Sequence, residues 1–159
     1  MTEYFRIFQR KHAGSPMTYG LGAARWNPRG IPIIYAGSSV AIITTEFLSI
    51  WGGTVIDSKW SMATYSIEGS ISSLDVGKLP KDWDSRPYPL STQDFGRKWA
   101  QTNYSVCLKI PSSRILLKAF PREHNLLINP LHKDFAKEIQ LVSVDDLHFN
   151  LNEWATGDK

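Results

Sequence analysis

The apolar positions of the chain fall into short runs separated by polar and glycine-rich stretches. Short runs with alternating or continuous apolar character predict β-strands. The segments that fit are 4–8, 31–36, 62–68, 71–76, 105–110, 114–118, 125–128 and 138–144. We expect the first of them to be an edge strand, and the third and fourth to form a hairpin across Gly69.

One long apolar segment has both a start and a stop signal for a helix. Ser38 or Ser39 can cap its N-terminus, and a glycine pair follows its last residue, Trp51. Small hydroxyl residues favour the start of a helix and glycine favours its end. A shorter helix is predicted within 130–138.

A second long helix is predicted over 91–101. Ser91 and Asp94 at its start resemble a capping box, and Phe95 and Trp99 lie one turn apart on its buried face. Because helices and strands mix without strict alternation, the pattern predicts an α+β fold. We expect a mixed sheet core with a few helices, rather than a doubly wound parallel sheet.

Two long stretches show no regular pattern. The glycine-rich stretch 14–30 is longer than most loops in a compact domain, and such loops are often functional. The stretch 78–89, rich in Pro, Asp and Trp, is predicted to be a surface loop.

The composition supports one globular domain. A length of 159 residues predicts a single domain over 1–159, with a core over about 4–144 and a polar tail after Phe149. Apolar residues make up 42% and charged residues 21%, which excludes global disorder. The single cysteine, Cys107, excludes an internal disulfide framework and fits a reducing cytoplasm. With no signal-peptide pattern and no long apolar window, neither secretion nor a membrane location is expected.

The charge pattern narrows the classes of function further. The net charge is +3 and the basic residues are scattered, whereas nucleic-acid binders usually concentrate them on one stripe. We therefore expect no direct binding of nucleic acid. The four histidines lack the spacing of metal ligands, so no metal site is predicted.

Arg25 is a candidate for binding an anionic ligand. It follows the small residues of GLGAA and precedes Asn27-Pro28, which favours a turn. A guanidinium in such a loop can bind phosphate through two parallel hydrogen bonds. A surface ion pair is the alternative interpretation.

Glu46 is the only charge in the apolar segment VAIITTEFLSIW. On a helix it shares a face with Ile42, Ile43 and Ile50, so its carboxylate is predicted to be partly desolvated. Such a carboxylate is costly unless it is paired or used in chemistry. The alternatives are a paired buried glutamate and an exposed position on a narrow polar stripe.

Three further residues are candidates around a pocket. Tyr35 ends an apolar strand and could stack a planar ring while its hydroxyl lies at the pocket rim, or it could be a core tyrosine. Ser112 and Ser113 follow another strand and could bind a ligand or cap a turn.

Taken together, several segments resemble the RES domain family. They are YFRIF, GLGAARWNPRGIPIIYAGSS with the helix AIITTEFLSIW, DFGRKWAQTNYSVCLKIPSS and PREHNLLINPLHKDF, in the order found in that family. The resemblance covers about 4–144. It implies a fold similar to that of ADP-ribosyltransferases, and catalytic residues at Arg25, Tyr35, Glu46 and Ser112. Ser113 and Asn125 are added as substrate-binding candidates.

The resemblance also implies a function. RES proteins are typically toxins that deplete NAD+, as glycohydrolases or phosphorylases, and each is neutralised by an antitoxin of the Xre helix-turn-helix type. NAD+ is then the substrate and no cofactor is needed. A homo-oligomer within the toxin–antitoxin complex is a further expectation. The alternatives are an ADP-ribosyltransferase that modifies a protein, and a module that binds a nucleotide or protein without catalysis.

Overall fold

The computed structural model describes residues 1–151, and their strands form one seven-stranded sheet in the order β4-β5-β6-β2-β1-β3-β7. All neighbouring strands are antiparallel except β4 and β5, which are parallel. The strands are β1 (Thr2–Gln9), β2 (Ile34–Gly37), β3 (Trp60–Ile67), β4 (Ser72–Ser73), β5 (Cys107–Ile110), β6 (Asn125–Ile128) and β7 (Ile139–Leu147). The predicted polar tail falls mostly on 152–159, outside the described residues.

Two long helices and one short one accompany the sheet. They are α1 (Val40–Trp51), α2 (Leu90–Thr102) and α3 (Phe135–Glu138). Short 3-10 helices occur at Arg10–His12, Gly52–Asp57, Val76–Lys78 and Leu117–Ala119. The architecture is therefore α+β with a mixed sheet, which confirms the predicted fold class.

The predicted limits of α1 are confirmed, and the structure selects its cap. Ser39 accepts a hydrogen bond from the backbone N–H of Ile42 at 3.1 Å, whereas Ser38 accepts one from the backbone N–H of His124. At the other end Gly52 has a φ of 57°, a left-handed conformation that glycine adopts without steric cost.

The prediction that β1 is an edge strand is wrong. It lies between β2 and β3, and it pairs with β3 along its whole length, from Thr2 opposite Ile67 to Gln9 opposite Trp60. Tyr4, with no exposed surface, packs in the core from this inner strand. A short N-terminal run is thus central because both of its edges are hydrogen-bonded.

The predicted hairpin between β3 and the segment after Gly69 is also wrong. Both edges of β3 are already occupied, one by β1 and the other by β7. The chain instead crosses to the far side of the sheet, where Ser72 lies opposite Leu108 of β5.

Three smaller predictions are corrected. Residues 114–118 form turns rather than a strand, and Leu116 and Leu117 are exposed, so no burial supports a strand there. Only 135–138 of the predicted short helix is α-helical. The capping box at α2 does not form, because the helix begins at Leu90 and the hydroxyl of Ser91 donates instead to Asp82.

Alternate residues of the central strands pack into different clusters, as the pleat of a strand requires. Ile34 and Ala36 of β2 belong to one core cluster, whereas Ile33 and Tyr35 pack with Trp26 and the residues of α2. A third cluster lies beneath α1 and contains Ile43 and Trp60, among others. The cavity described below is lined mainly by members of the second and third clusters, together with Ala36 of the first.

The apolar stretch Val40–Asp57 is long enough, by length and composition alone, to be considered as a membrane span. Its regular part, α1, has 12 residues and is therefore about 18 Å long. A spanning helix must cross a hydrocarbon core of about 30 Å. From Gly52 to Asp57 the stretch continues as a 3-10 helix, so α1 is not a continuous α-helix of that length.

Candidate active site

A cavity of about 270 Å³ lies between α1, the Arg25 turn and the ends of β5 and β6. Its wall is largely apolar. The polar side chains among its lining residues are Arg6, Arg25, Tyr35, Glu46, Tyr88, Ser113, Arg114 and Asn125. A mostly apolar cleft with a few convergent polar groups is the usual form of a small-molecule site.

Glu46 is held in this cavity by side chains from two other elements. Its Oε1 accepts hydrogen bonds from the hydroxyl of Ser112 and from Nδ2 of Asn125, the latter at 2.7 Å. Its Oε2 lies 3.7 Å from Nε of Arg114. The Glu46 side chain is 17% exposed. The predicted partly desolvated carboxylate is therefore confirmed, and it is both paired and accessible from the cavity.

The register of the sheet explains why these residues meet. Asn125 at the start of β6 lies opposite Ile110 at the end of β5, and opposite Gly37 at the end of β2. Ser112 follows β5 by two residues, and α1 begins soon after Gly37. A Cβ at Gly37 would lie 3.0 Å from the backbone nitrogen of Ile43, so glycine allows α1 to pack this closely against β2.

The two adjacent serines have different surroundings. Ser112 is only 3% exposed. Its hydroxyl donates to Glu46 and accepts from the backbone N–H of Arg114 at 3.0 Å. Ser113 lines the cavity itself, and no hydrogen bond of its hydroxyl is found within residues 1–151. Ser112 is thus placed to orient the carboxylate, and Ser113 is placed to contact a ligand.

Arg25 lines the cavity from a different segment, a turn closed by a bridge between Ala24 and Asn27. Its Nη1 donates to the carbonyl oxygens of Trp83 at 2.6 Å and Ser85 at 2.9 Å. Its guanidinium carbon lies 4.9 Å from the ring centroid of Tyr88. Nη2 is buried without a partner, and burial lowers the pKa of the guanidinium. An arginine nonetheless keeps its charge, so Nη2 offers a donor to an anion.

Tyr35 supports the Arg25 turn rather than presenting its hydroxyl at the rim. The hydroxyl donates to Oδ1 of Asn27 at 2.5 Å and accepts from the backbone N–H of Trp26 at 3.2 Å. Burial raises the pKa of Tyr35, so the group stays a neutral donor. Its ring lines the cavity, and of the two interpretations offered for Tyr35 the core tyrosine describes its hydroxyl, which is bonded to the protein.

Sequence reasoning did not single out Arg114 or Tyr88. Arg114 directly follows the two candidate serines in the Pro-Ser-Ser-Arg segment, so its position could have identified it as a residue of the same site. Tyr88 lies in the surface loop that also supplies the Trp83 and Ser85 carbonyls. Main-chain carbonyls carry no residue signature, which is why this loop could not be connected to Arg25.

No metal centre accompanies these groups in the part of the chain that the structure describes. Within 1–151, no group of three or more His, Cys, Asp or Glu side chains lies close enough to hold an ion. The buried His124 and His132 are instead hydrogen-bonded to protein groups.

Comparison with known proteins gives consistent results. The model of the RES domain family matches residues 3–152. A protein of Yersinia enterocolitica named Toxin Res is 35% identical over 150 residues, covering 91% of this chain and 93% of the relative. A Toxin Res of Photorhabdus laumondii is 30% identical over 143 residues, covering 87% and 88%. A Sphingobium protein named Prs ADP-ribosylating toxin is 33% identical over 126 residues, covering 77% and 73%.

A solved structure supports the fold independently. A chain in the crystal structure of the M. tuberculosis MbcT–MbcA toxin–antitoxin complex superposes with a TM-score of 0.68. The similarity covers 92% of this chain and 84% of that one, at 16% sequence identity. The match of the family model over nearly the whole chain, together with relatives of 30–35% identity that are named as toxins, shows that this chain belongs to the RES domain family.

Proposed function

We propose that this chain is the toxin of a toxin–antitoxin pair and that it consumes NAD+ by breaking the bond between nicotinamide and ribose. The observation that carries the proposal is the Glu46 carboxylate. It is the one acidic side chain among the described residues that line the cavity, and two donors from other elements fix its orientation.

The chemistry needs such a carboxylate. When the glycosidic C–N bond breaks, the electron pair leaves with the nicotinamide nitrogen, which becomes neutral, and positive charge develops on the ribose. A preorganised anion next to that carbon stabilises this oxocarbenium-like state, as in glycoside chemistry. Ser112 and Asn125 act as positioning residues because both donate to the same oxygen of Glu46.

The rest of the cavity fits recognition of a dinucleotide. Arg25 offers a buried donor without a partner to a phosphate or ribose oxygen. The Tyr35 ring forms an apolar wall for the nicotinamide, and Ser113 offers a hydroxyl to the amide or ribose. Asn125 has a buried Oδ1 without a partner, which can accept a ligand hydrogen bond. NAD+ is the substrate, and the proposed reaction uses no cofactor.

The proposed reaction has several forms, which differ in the group that accepts the ADP-ribose. Water gives a glycohydrolase, phosphate gives a phosphorylase, and a protein side chain gives an ADP-ribosyltransferase. The last version is supported by the name of the Sphingobium relative, which describes an ADP-ribosylating toxin. A non-catalytic nucleotide-binding module would use the same cavity without turnover.

Three incubations with NAD+ separate these versions. The purified chain is mixed with NAD+ in buffer, then with added phosphate, then with cell extract. Free nicotinamide is measured by chromatography, and modified protein and free ADP-ribose are measured by mass spectrometry. We expect nicotinamide release in at least one condition, and the accompanying product identifies the acceptor. Tight binding of NAD+ with no release of nicotinamide in any condition would overturn the proposal.

The proposal includes a protein partner and a cytoplasmic location. An enzyme that depletes NAD+ harms its host, so we expect an antitoxin of the Xre helix-turn-helix type that blocks the cavity, in an assembly that includes homo-oligomers. The toxin–antitoxin complex among the structural neighbours supports this expectation. Induced expression of the chain alone should arrest growth, and co-expression with the neighbouring antitoxin gene should restore it. Normal growth without that gene would count against the partner.

A further inference from the structure

Arg114 is a largely buried cation whose side chain has no hydrogen-bond acceptor within residues 1–151. The side chain is 15% exposed and lines the cavity. The nearest carboxylate oxygen, Oε2 of Glu46, lies 3.7 Å from Nε, and Nε itself is buried without a partner. A guanidinium carries five N–H donors. With Nε facing Glu46, Nη1 and Nη2 donate to no protein group within residues 1–151, so both can donate to an anion in the cavity.

The other two arginines of the cavity differ from Arg114 in this respect. Arg6 donates from Nη1 to the carbonyl oxygens of Pro16 and Thr18, so its guanidinium holds the glycine-rich loop. Arg25 donates from Nη1 to two carbonyls of the surface loop. Within the described part of the chain, Arg114 alone of the three donates no side-chain hydrogen bond to the protein, and its one charged partner is Glu46.

We propose that the Arg114 side chain binds a phosphate group in the cavity, as a second anion-binding residue beside Arg25. The inference rests on the proposed function, because the anionic groups of NAD+ are its two phosphates. The planar guanidinium suits bidentate binding of phosphate oxygens. The phosphate comes either from the pyrophosphate of NAD+ or from free inorganic phosphate that serves as the acceptor.

The neighbouring Glu46 does not prevent this binding. Its Oε1 accepts hydrogen bonds from Ser112 and Asn125, and its Oε2 faces the Nε edge of Arg114, so the carboxylate stays charged but does not occupy Nη1 or Nη2. Because a guanidinium has five N–H donors, it can face the carboxylate with one edge and donate to a phosphate from another. Arg114 then places the negative group next to the reacting centre without displacing Glu46.

The backbone makes a clean test possible. The main-chain N–H of Arg114, not its side chain, donates to Ser112. Arg114→Gln therefore removes the guanidinium and keeps the contact that positions Ser112. Arg114→Lys keeps a charge beside Glu46 but cannot copy the planar donor edge. The matched control is Arg122→Gln, since Arg122 is exposed and does not line the cavity.

Binding is measured by titration calorimetry with ADP-ribose and with inorganic phosphate, alongside nicotinamide release. A charge-assisted hydrogen bond predicts a loss of affinity of roughly 10- to 100-fold in Arg114→Gln. If the dinucleotide supplies the phosphate, the loss appears with ADP-ribose. If free phosphate is the ligand, the loss appears with phosphate, together with the stimulation of nicotinamide release by added phosphate. Arg122→Gln should match the parent.

Affinities of Arg114→Gln within twofold of the parent for both ligands would overturn the proposal, and so would a parent that binds neither ligand. Unchanged affinities with lower turnover would make Arg114 only a positioning residue for Glu46, which also overturns it. If Arg114→Gln does not fold, Arg114→Lys decides, since parental affinity in that variant excludes a role for the guanidinium. A parent that binds both ligands through Arg114 but releases no nicotinamide would overturn the proposed function and leave this site standing.

Discussion

The two sides of the cavity are held in different ways. On the Glu46 side, defined by Glu46, Ser112 and Asn125, side chains from α1 and from the ends of β5 and β6 bond directly to one another. On the Arg25 side, defined by Arg25 and Tyr35, the guanidinium is held by main-chain carbonyls of the loop that precedes α2. One side is therefore fixed by the register of the sheet, and the other by how a loop packs against a turn.

The difference determines how each side responds to substitution. A side-chain partner can be removed by one mutation, whereas a carbonyl partner remains whatever residue carries it. We therefore expect the Glu46 side to be sensitive at the residues in contact. The Arg25 side should be sensitive also at positions that set the distance between turn, loop and helix.

The largest effect is expected for Glu46→Gln. The amide oxygen can still accept from Ser112 and Asn125, but the negative charge is gone. Loss of one preorganised electrostatic group typically lowers turnover by about 10²–10³-fold. The melting temperature and the affinity for NAD+ should change much less, because a neutral amide is easier to bury than a carboxylate. Nicotinamide release and thermal unfolding of the purified variant measure both.

Glu123→Gln is the matched control, since Glu123 is exposed and lies outside the cavity. It should behave like the parent in both measurements. Near-parental nicotinamide release from Glu46→Gln would remove the carboxylate from the mechanism and reduce the Glu46 side to a structural contact.

Arg25→Lys tests whether the other side recognises an anion. A lysine can donate to one loop carbonyl, but it cannot bond two carbonyls and present a further donor in one plane. Affinity for NAD+ should fall by roughly 10- to 100-fold, as expected for a lost charge-assisted hydrogen bond. Nicotinamide riboside, which lacks the pyrophosphate, should be a poor substrate for the parent. Parental kinetics in Arg25→Lys would show that a point charge suffices there.

The sequence predicted the Glu46 side better than the Arg25 side for a physical reason. A single carboxylate in an apolar helix is visible from local spacing, and its desolvation follows from the residues three and four positions away. Of its partners, Ser112 was a candidate from its position after a strand, whereas Asn125 was a candidate only through resemblance to the RES family. Their meeting depends on the pairing of β6 with both β5 and β2, which local pattern does not specify.

The order of the strands in the sheet likewise could not be predicted from local sequence pattern. The apolar run of β1 predicted a strand correctly, but nothing in 4–8 indicates that two partners flank it. Likewise, Gly69 suggested a tight hairpin, although β3 already had β7 as its second neighbour. Element type follows from local periodicity, whereas neighbour choice follows from the burial of the whole sheet.

Gly96→Ala tests the geometry of the Arg25 side without touching its polar groups. A Cβ at this helical position would overlap the carbonyl oxygen of Trp26, so α2 or the turn must move. Alanine normally stabilises a helix relative to glycine, but overpacking costs about 1–3 kcal/mol. We expect a lower melting temperature and weaker NAD+ binding. Gly53→Ala, with open space around its Cβ, is the control. A Gly96→Ala variant as stable as the parent would contradict the close approach.

Tyr35→Phe isolates the hydrogen bonds behind the same turn. It removes the donor to Asn27 and the acceptor for the Trp26 N–H while keeping the ring on the cavity wall. Leaving buried groups without partners costs about 1–3 kcal/mol, which should appear in the free energy of unfolding. The affinity for NAD+ should fall less than in Arg25→Lys. Because Tyr35 stays neutral in the parent, turnover of the variant should be close to that of the parent. A large fall in turnover with unchanged stability would instead place the hydroxyl in the chemistry.

The smallest effect is expected from substitution of His124. This buried residue directly precedes Asn125, which donates to Glu46. Nδ1 lies 2.8 Å from the Pro121 carbonyl, which can only accept, so Nδ1 carries the proton and Nε2 accepts from the Tyr4 hydroxyl. Burial raises the pKa of Tyr4 to about 12, so its hydroxyl stays a donor. Burial, with a smaller effect from Lys109, lowers the pKa of His124.

The sign of the pH dependence follows from this shift. Below the ordinary histidine pKa of about 6.5, the unfolded chain binds a proton that the folded chain resists, so acidification lowers the free energy of unfolding. Melting temperatures at about pH 7.5 and about pH 5.5 should therefore differ less in His124→Gln than in the parent. His12→Gln, at an exposed histidine, should keep the parental difference. If the melting temperature falls equally between the two pH values in the parent and in His124→Gln, protonation of His124 does not affect the stability of the protein.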